Sequence, residues 1–274
     1  MDVKHRQIFR NTAFYFTLVI AMIPALFIFF WMLLSSFKTP LQNTAFPPLW
    51  IFTPTFENYI EAWKQNPFPR YTLNSMVVAV GTTVLGLLAG LPAAYAIARW
   101  KLQKLAVSIL LARVIPGISL LVPWYLFFRK IGLIDTHISL ILSHLIVGMP
   151  LIIWVMISFF EDVPRDLEDA AMIDGCSIFG SFLRVCLPLV KPGIIATGIL
   201  SFIFSWNNFM FSLILAGYKT RTLPVAVYNF MSYDAINWGG LSAAATLIIL
   251  PVLTLVFWVQ RYIVHGLTFG GLKG

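Results

Sequence analysis

Residues 162–192 contain the side chains whose types and spacing most suggest a specific interaction. Glu168, Asp169, Ala170 and Ala171 are consecutive, and Gly175 follows after three further residues. A carboxylate can pair with a basic group on a partner protein, and alanines permit the close approach of another surface. This pattern favours a docking surface over a reaction centre, although the same residues would also suit helices that lie at a membrane surface without a partner.

The sequence offers no comparable pattern for catalysis. It lacks the G-x-x-x-x-G-K-[S/T] run that cradles ATP phosphates. Ser143 and His144 could suggest an intramembrane serine protease, but adjacent helical residues point apart and the G-x-S-x-G context is missing. Cys176 and Cys186 match no metal or redox spacing. We therefore expect a chain that is not an enzyme and that binds neither a metal nor a cofactor.

The elements that carry these residues are predicted to cross a membrane. Of 274 residues, 59% are apolar and 11% are charged, and the mean hydropathy is +0.85, which leaves too little charge for a soluble surface. A bilayer core of ~30 Å needs about 20 apolar residues in a helix. Segments of this kind predict an all-α membrane protein with six transmembrane helices, at 12–34, 71–98, 105–128, 138–160, 193–215 and 241–263.

Glycine and proline predict the local shape of two of these spans. Pro116 and Gly117 predict a kink in the third span. Gly86 and Gly90 predict close packing of the second span on a neighbouring helix.

Two long segments between the spans are expected on the same side of the membrane. Residues 35–70 are rich in proline and should be irregular, apart from a short interfacial helix at 56–64. Residues 217–240 form the second segment, which contains several aromatic side chains.

Two short helices are expected within residues 162–192. Pro164 can begin the first and Gly175 can end it, while Ser177 can cap a second helix at 178–185. The large apolar residues of this second helix should lie at the membrane surface or against other helix ends. They are Phe179, Phe182 and Leu183.

The distribution of basic residues predicts the orientation of the chain. These residues are scattered in small groups, which argues against binding to nucleic acid. The richer side of the topology is expected to be cytoplasmic. Its basic residues are Lys4, Arg6, Arg10, Arg99, Lys101, Lys104, Arg165, Arg184, Lys191, Arg261 and Lys273. Both termini and residues 162–192 should therefore face the cytoplasm.

Aligned on Gly175, residues 162–192 resemble the EAA loop of ABC importer membrane subunits. In that loop, E-A-A is followed by three residues, a glycine, nine residues and I-x-L-P. The matching residues here are Asp169-Ala170-Ala171, Gly175 and Val185-Cys186-Leu187-Pro188. Val185 stands where isoleucine is usual, and Asp169 stands where glutamate is usual. The shorter side chain leaves open whether Asp169 or Glu168 meets the partner.

Other stretches resemble the maltose-type carbohydrate permeases and extend the likeness over essentially the whole chain from residue 12. They are RVIP at 113–116, GLIDT at 132–136, SWNNF at 205–209, TRTLP at 220–224 and GLTFGGLKG at 266–274. The resemblance implies a type I ABC importer permease fold in the inner membrane of a prokaryote. Residues 1–70 would form the first helix and an extracytoplasmic segment, 71–265 the transmembrane domain and 266–274 a cytoplasmic tail.

The resemblance also implies partners and roles for individual residues. A second homologous permease would complete a heterodimer, two ATP-binding cassette subunits would hold ATP and Mg²⁺, and an extracytoplasmic solute-binding protein would deliver a carbohydrate, such as a sugar, oligosaccharide, glycoside or polyol. Membrane lipid would surround the spans. ATP hydrolysis by those subunits would drive alternating access through the coupling residues Glu168, Asp169, Ala170, Ala171, Gly175 and Pro188.

Polar and aromatic residues in the spans could contact a sugar, or they could bond one helix to another. The translocation-path candidates are Asn74, Ser143, Trp206, Asn207 and Asn208. The residues expected to contact the binding protein are Tyr228, Asn229, Phe230, Met231 and Ser232. Arg113 is expected at a helix end, and His144 in a hydrogen-bonded core position. A single-chain ion-coupled secondary transporter is the alternative function, although the internal repeats and intramembrane carboxylates typical of one are missing.

Overall fold

The computed structural model describes residues 3–65, 67–231 and 236–269, and most of them lie in helices. The α-helices in chain order are α1 (Val3–Ser36), α2 (Pro40–Thr44), α3 (Glu57–Gln65), α4 (Phe68–Arg99), α5 (Gln103–Ala112), α6 (Leu121–Lys130), α7 (His137–Glu161), α8 (Arg165–Ile173), α9 (Ile178–Ser181), α10 (Leu187–Leu189), α11 (Lys191–Trp206), α12 (Met210–Leu215), α13 (Leu223–Val227) and α14 (Trp238–Phe269). Shorter turns are the 3₁₀ segments Gly117–Leu120 and Tyr228–Phe230 and the π segment Phe182–Cys186. The described residues contain no β-strand, which confirms the all-α class.

The helices are long and apolar enough for the chain to cross a membrane several times. Parts of α1, α4, α7 and α14 are long and apolar enough to span a bilayer, and two bent helix pairs raise the possible total to the predicted six. One pair bends by 80° between Gln103–Ala112 and Gly117–Lys130. This bend confirms the kink predicted at Pro116. The other pair bends by 79° between Ile178–Leu189 and Lys191–Trp206.

The continuous fifth span predicted at 193–215 is wrong, because the helix is interrupted after Trp206. A new helix, α12, begins at Met210. The Asn208 side-chain oxygen accepts a hydrogen bond from the Phe211 backbone N–H at 3.2 Å, and so caps α12. Asparagine side chains compete with helical backbone hydrogen bonds in this way. The adjacent asparagines at 207 and 208 were a local signal for the break.

One compact unit comprises residues 1–67 and 227–249, so far as they are described. The expected interfacial helix is α3, whose Asn58 side-chain amide donates to the Ser36 and Lys38 carbonyls at 2.8 Å each. Lys38 is buried, and its ammonium lies 4.2 Å from the centroid of the Trp31 ring. Burial lowers the pKa of Lys38.

The second unit comprises residues 68–226 and 250–274, of which the structure describes those up to 269. Its centre is the mutual packing of α4, α7 and α11. A Cβ atom added at Gly86 would lie 2.5 Å from Ile152 Cδ1, and one at Gly90 would lie 2.8 Å from Ile152 Cγ2. The predicted close approach at these glycines is confirmed, and α7 is the neighbour.

Two apolar clusters lie toward opposite ends of α4. One surrounds Tyr95 and contains Ile152, Met156, Phe160 and Phe182. The other surrounds Val78 and contains Phe128, Leu140, Phe211 and Leu215. Each cluster supports a group of polar contacts at its own end of the second unit.

Candidate functional site

Helix α8 has the beginning and the end that the sequence predicted. Pro164 precedes its first residue, and Asp166 and Glu168 lie in its first turn, where carboxylates are favourable. Gly175 has a φ of +90°, and its N–H donates to the Met172 carbonyl at 3.0 Å. The next residue, Cys176, donates to the Ala171 carbonyl at 2.9 Å, which completes a Schellman C-cap.

The second predicted helix also forms, but its apolar residues divide between two environments. Ser177 Oγ accepts from the Gly180 N–H at 3.1 Å and caps α9, which continues through a π turn into α10. Phe182 is buried, with its ring centroid 4.9 Å from that of Tyr95. Phe179 and Leu183 are exposed. Only Phe182 therefore packs against other helix ends.

The two neighbouring carboxylates of α8 have different surroundings. Glu168 is only 5% exposed and forms an ion pair with Arg99 of α4. The hydroxyl of Tyr95 donates to the other Glu168 carboxylate oxygen at 2.6 Å. Asp169 and Ala170 are exposed on the other side of α8, and Ala171 is partly exposed. Glu168 is thus bound within the chain, whereas Asp169 faces outward.

Arg99 and Arg165 make reciprocal backbone contacts beside this ion pair. Arg99 Nη2 donates to the Val163 carbonyl at 3.2 Å, and Arg165 Nη2 donates to the Arg99 carbonyl. The second contact pairs the last carbonyl of α4 with a cation, as is favourable at a helix C-terminus. Tyr95 and Arg99 were not among the site residues predicted from the sequence. Their four-residue spacing, which places them on one face of a helix, was the available signal.

A shallow groove of about 220 Å³ lies beside the carboxylates. Its lining includes Asp169 and Arg165, together with the apolar side chains of Trp100, Met172 and Ile178. Several other large apolar residues of the same segment are exposed. They are Leu167, Ile173, Phe179, Leu183 and Leu189. Exposed apolar side chains gathered around a carboxylate are typical of a protein interaction surface.

A second polar cluster lies at the opposite end of α4 and holds the segment after α12. The Asp135 carboxylate accepts hydrogen bonds from the backbone N–H groups of Gly217 (2.9 Å), Lys219 (3.1 Å) and Thr220 (2.9 Å), and from the Thr220 hydroxyl (2.8 Å). Burial by itself raises the pKa of Asp135, but these hydrogen bonds outweigh it and leave the pKa below its ordinary value. We call this arrangement the Asp135 clamp.

Asn74, a predicted path residue, belongs to the same end of the molecule. Its side-chain amide donates to the carbonyls of Lys219 and Arg221 at 3.0 and 2.9 Å. Its side-chain oxygen lies 2.9 Å from His137 Nε2. These contacts use every polar atom of the Asn74 side chain within the protein.

The other path candidates lie around α7, α11 and the break after α11. Ser143 is buried and donates to the Ser139 carbonyl at 2.7 Å. Trp206 is also buried, whereas Asn207 is exposed and Asn208 is partly exposed. Whether any of them contacts substrate stays a prediction.

Two further residues singled out by sequence have clear positions. His144 is buried, and its Nδ1 lies 2.8 Å from Ser205 Oγ, as expected for a core histidine. Arg113 is exposed at the end of α5, which agrees with its expected place at a helix terminus.

The residues proposed to meet a binding protein form part of the first unit. Tyr228 is exposed and Phe230 is buried within a 3₁₀ turn, and Met231 forms an isolated bridge with Ile236. Asn229 lies in that turn, and Ser232 lies outside the described residues. Their binding role stays a prediction.

This architecture is that of the membrane component of an ABC importer. It resembles a bacterial ABC transporter involved in the import of the acidic polysaccharide alginate, with a TM-score of 0.76 over 96% of this chain and 99% of that chain, at 20% sequence identity. A methionine ABC transporter in inward-facing conformations gives a TM-score of 0.59 over 71% of this chain and 93% of that chain, also at 20% identity.

Sequence relatives and a family profile identify the family within this class. The sulfoquinovosyl glycerol transport system permease protein SmoH of Agrobacterium fabrum is 38% identical over 93% of this chain and 91% of its own length. The trehalose/maltose transport system permease protein MalG of Thermococcus litoralis is 33% identical over 93% and 94% of the two chains. The profile of the family described as binding-protein-dependent transport system inner membrane component matches residues 82–269. The chain belongs to this family, and the match includes α8 and the Asp135 clamp.

Proposed function

We propose that this chain is one of two homologous permease subunits that together form the translocation path of an ATP-driven carbohydrate importer. An extracytoplasmic binding protein would deliver the substrate, and two ATP-binding subunits would hold ATP and Mg²⁺. The permease itself is proposed to be non-catalytic and to bind no cofactor. Support for a carbohydrate comes from relatives named as permeases for sulfoquinovosyl glycerol, trehalose and maltose.

The proposal places the protein in the inner membrane of a prokaryote with both termini in the cytoplasm. The excess of lysine and arginine around α8 and the termini supports this orientation. It would place α8 toward the ATP-binding subunits and the Asp135 clamp on the extracytoplasmic side. Residues 228–232 are proposed to contact the binding protein from that side.

The outward face of α8 is the observation that carries the coupling role. Asp169 and Ala170 are exposed there, and Gly175 fixes the end of the helix. Because Glu168 is already paired within the chain, we assign the partner contact to Asp169. Ala171 leaves space for close docking, and Pro188 lies where the chain returns toward α11.

The break between α11 and α12 supports a place on the translocation path for Asn207 and Asn208. Non-helical backbone at membrane depth is stable only where it is buried in protein or lines a water-filled cavity. Asn207 is exposed at this break. Its amide could therefore meet a substrate hydroxyl, whereas the amide of Asn74 is already bonded within the chain.

Membership of a binding-protein-dependent family argues against the alternative of a single-chain ion-coupled transporter. The two kinds of transporter also differ in subunit composition and energy source. An importer permease should co-purify with ATP-binding subunits and a second permease, and its uptake should require ATP.

Charge reversal of Asp169 tests the coupling role. We expect Asp169→Lys, co-expressed with its partner subunits, to lose co-purifying ATP-binding subunit and ATP-driven uptake of whichever of trehalose, maltose or sulfoquinovosyl glycerol the wild type transports. Because Asp169 is exposed, the melting temperature of the permease should stay unchanged. Asp162→Lys, another exposed carboxylate outside α8, is the matched control. Wild-type assembly and uptake by Asp169→Lys would contradict the proposal.

A further inference from the structure

Several polar contacts join the end of α4 to α8. The side chains of Arg99 and Glu168 are 10% and 7% exposed, so that water screens their ion pair only weakly. The Tyr95 hydroxyl occupies the second oxygen of Glu168 at 2.6 Å. Both oxygens of this carboxylate are thus held from one face of α4.

Two contacts to backbone prevent α8 from pivoting about that carboxylate. Arg99 also binds the Val163 carbonyl, which precedes α8, and Arg165 in the first turn of α8 binds the Arg99 carbonyl. A planar guanidinium can hold two acceptors in fixed directions, which a lysine ammonium does less well. The start of α8 is therefore tied to the end of α4 at three separate points.

An apolar layer supports the same junction. The Tyr95 ring packs 4.9 Å from Phe182 and 5.6 Å from Phe160, measured between ring centroids. Phe182 follows α8 in the chain, and Phe160 is near the end of α7. Tyr95 therefore joins the polar tie to the packed interior of the second unit.

We propose that Tyr95, Arg99 and Glu168 form a mechanical link through which movement of α8 is passed to α4. This inference rests on the proposed docking of ATP-binding subunits on α8. Asp169 meets the partner, and Glu168, one residue earlier, fastens the docking helix to a helix of 32 residues. Arg99 and Tyr95 are positioning residues, because they act through Glu168 and not on substrate.

The link makes a prediction that a purely structural role does not. When it is weakened, the assembled transporter should still bind and hydrolyse ATP, but each hydrolysis should move less substrate. The measured quantity is the number of carbohydrate molecules imported per ATP hydrolysed. Proteoliposomes should contain the complete transporter with its loaded binding protein, and the amounts of assembled complex should be matched.

Four variants of the link and one control separate the possible outcomes. We expect Glu168→Gln and Arg99→Glu to lower the import per ATP by about fivefold or more, the lower end of typical coupling between sites. The exchange variant Arg99→Glu/Glu168→Arg restores opposite charges and should recover much of that loss. Tyr95→Phe, which removes one hydroxyl, should have a smaller effect. Asp166→Asn, an exposed carboxylate of the same helix, is the control and should match the wild type.

Three results would overturn the link. Import per ATP could remain at the wild-type value in assembled Glu168→Gln and Arg99→Glu. The exchange variant could be as impaired as the single variants. Every variant including Tyr95→Phe could fail to assemble, which would mean that the residues serve folding alone. Absence of ATP-driven uptake by the wild-type complex would instead contradict the proposed function. This result differs from the three that overturn the link, because it concerns the unaltered protein.

Discussion

Removal of the Asp135 carboxylate should release the segment that follows α12. Of its hydrogen-bond donors, Thr220 is 3% exposed, whereas Lys219 is exposed and can bond to water instead. Leaving one buried donor unpaired costs about 1–3 kcal/mol. Asp135→Ala should therefore lower the hydrogen-exchange protection of Gly217, Lys219 and Thr220 by about 5- to 150-fold, since about 1.4 kcal/mol corresponds to a factor of ten.

Hydrogen exchange with mass spectrometry on the protein in lipid nanodiscs measures this change directly. Asp135→Asn keeps one acceptor oxygen and should give an intermediate loss of protection in peptides covering 214–224. Gly217→Ala should also lower protection in these peptides, because its new Cβ would lie 2.7 Å from Asp135 Cγ and displace the carboxylate. Asp162→Ala, at the opposite end of the unit, controls for general destabilisation. Wild-type protection in Asp135→Ala would refute the reasoning.

The clamp should also depend on pH, with a sign fixed by the direction of the pKa shift. The pKa of Asp135 is lower in the folded protein than its ordinary value of 3.8, so that folding favours the charged carboxylate. Its contribution to stability is complete above the ordinary aspartate pKa and is lost as the pH falls through the folded pKa. Protection factors at 217–220 should thus be constant near neutrality and fall only in strong acid. A loss of protection beginning near pH 7 would contradict this assignment to Asp135.

Two glycine substitutions, with a third as a control, test the end of α8 and the packing of α4 on α7. Gly175→Ala should lower the stability of the folded protein by about 1–3 kcal/mol, because of its φ of +90°, and reduce co-purification of the ATP-binding subunits. The control Gly132→Ala, at a φ of +72° with equally open surroundings, should lower the melting temperature similarly but leave co-purification intact. Equal effects of the two substitutions on co-purification would count against a docking role for α8. Gly90→Leu should destabilise the protein by about 1–3 kcal/mol through overpacking against Ile152, measured by the melting temperature in detergent. Adding Ile152→Ala to the same chain should recover part of that loss. No recovery would contradict the close packing of α4 on α7.

Local signals in the sequence were enough to predict most of the helices and the bounds of the docking helix α8. Pro164 and Gly175 act within a few residues of their own positions, so that the bounds of α8 could be read without knowing the rest of the fold. The apolar lengths of the spans follow equally from local composition. The break after Trp206 was missed because apolar residues continue on both sides of the two asparagines.

The polar ties could not be predicted because they join residues far apart in the chain. Tyr95 and Glu168 are separated by 73 positions, and Asp135 and Thr220 by 85. Spacing within one helix shows which residues share a face, but it does not show which distant segment that face meets. For the same reason, the sequence left open whether Asp169 or Glu168 meets the partner, although their exposure differs sharply.

The placement of these ties along α4 explains how a short surface helix could influence the far end of the unit. Near its beginning, Asn74 holds the carbonyls of Lys219 and Arg221, and at its end Arg99 holds Glu168. Between them, Gly86 and Gly90 bring the helix against Ile152 without intervening side chains. Close-packed contacts of this kind resist small independent displacements. A shift imposed at Glu168 would therefore reach the segment after α12 through one helix.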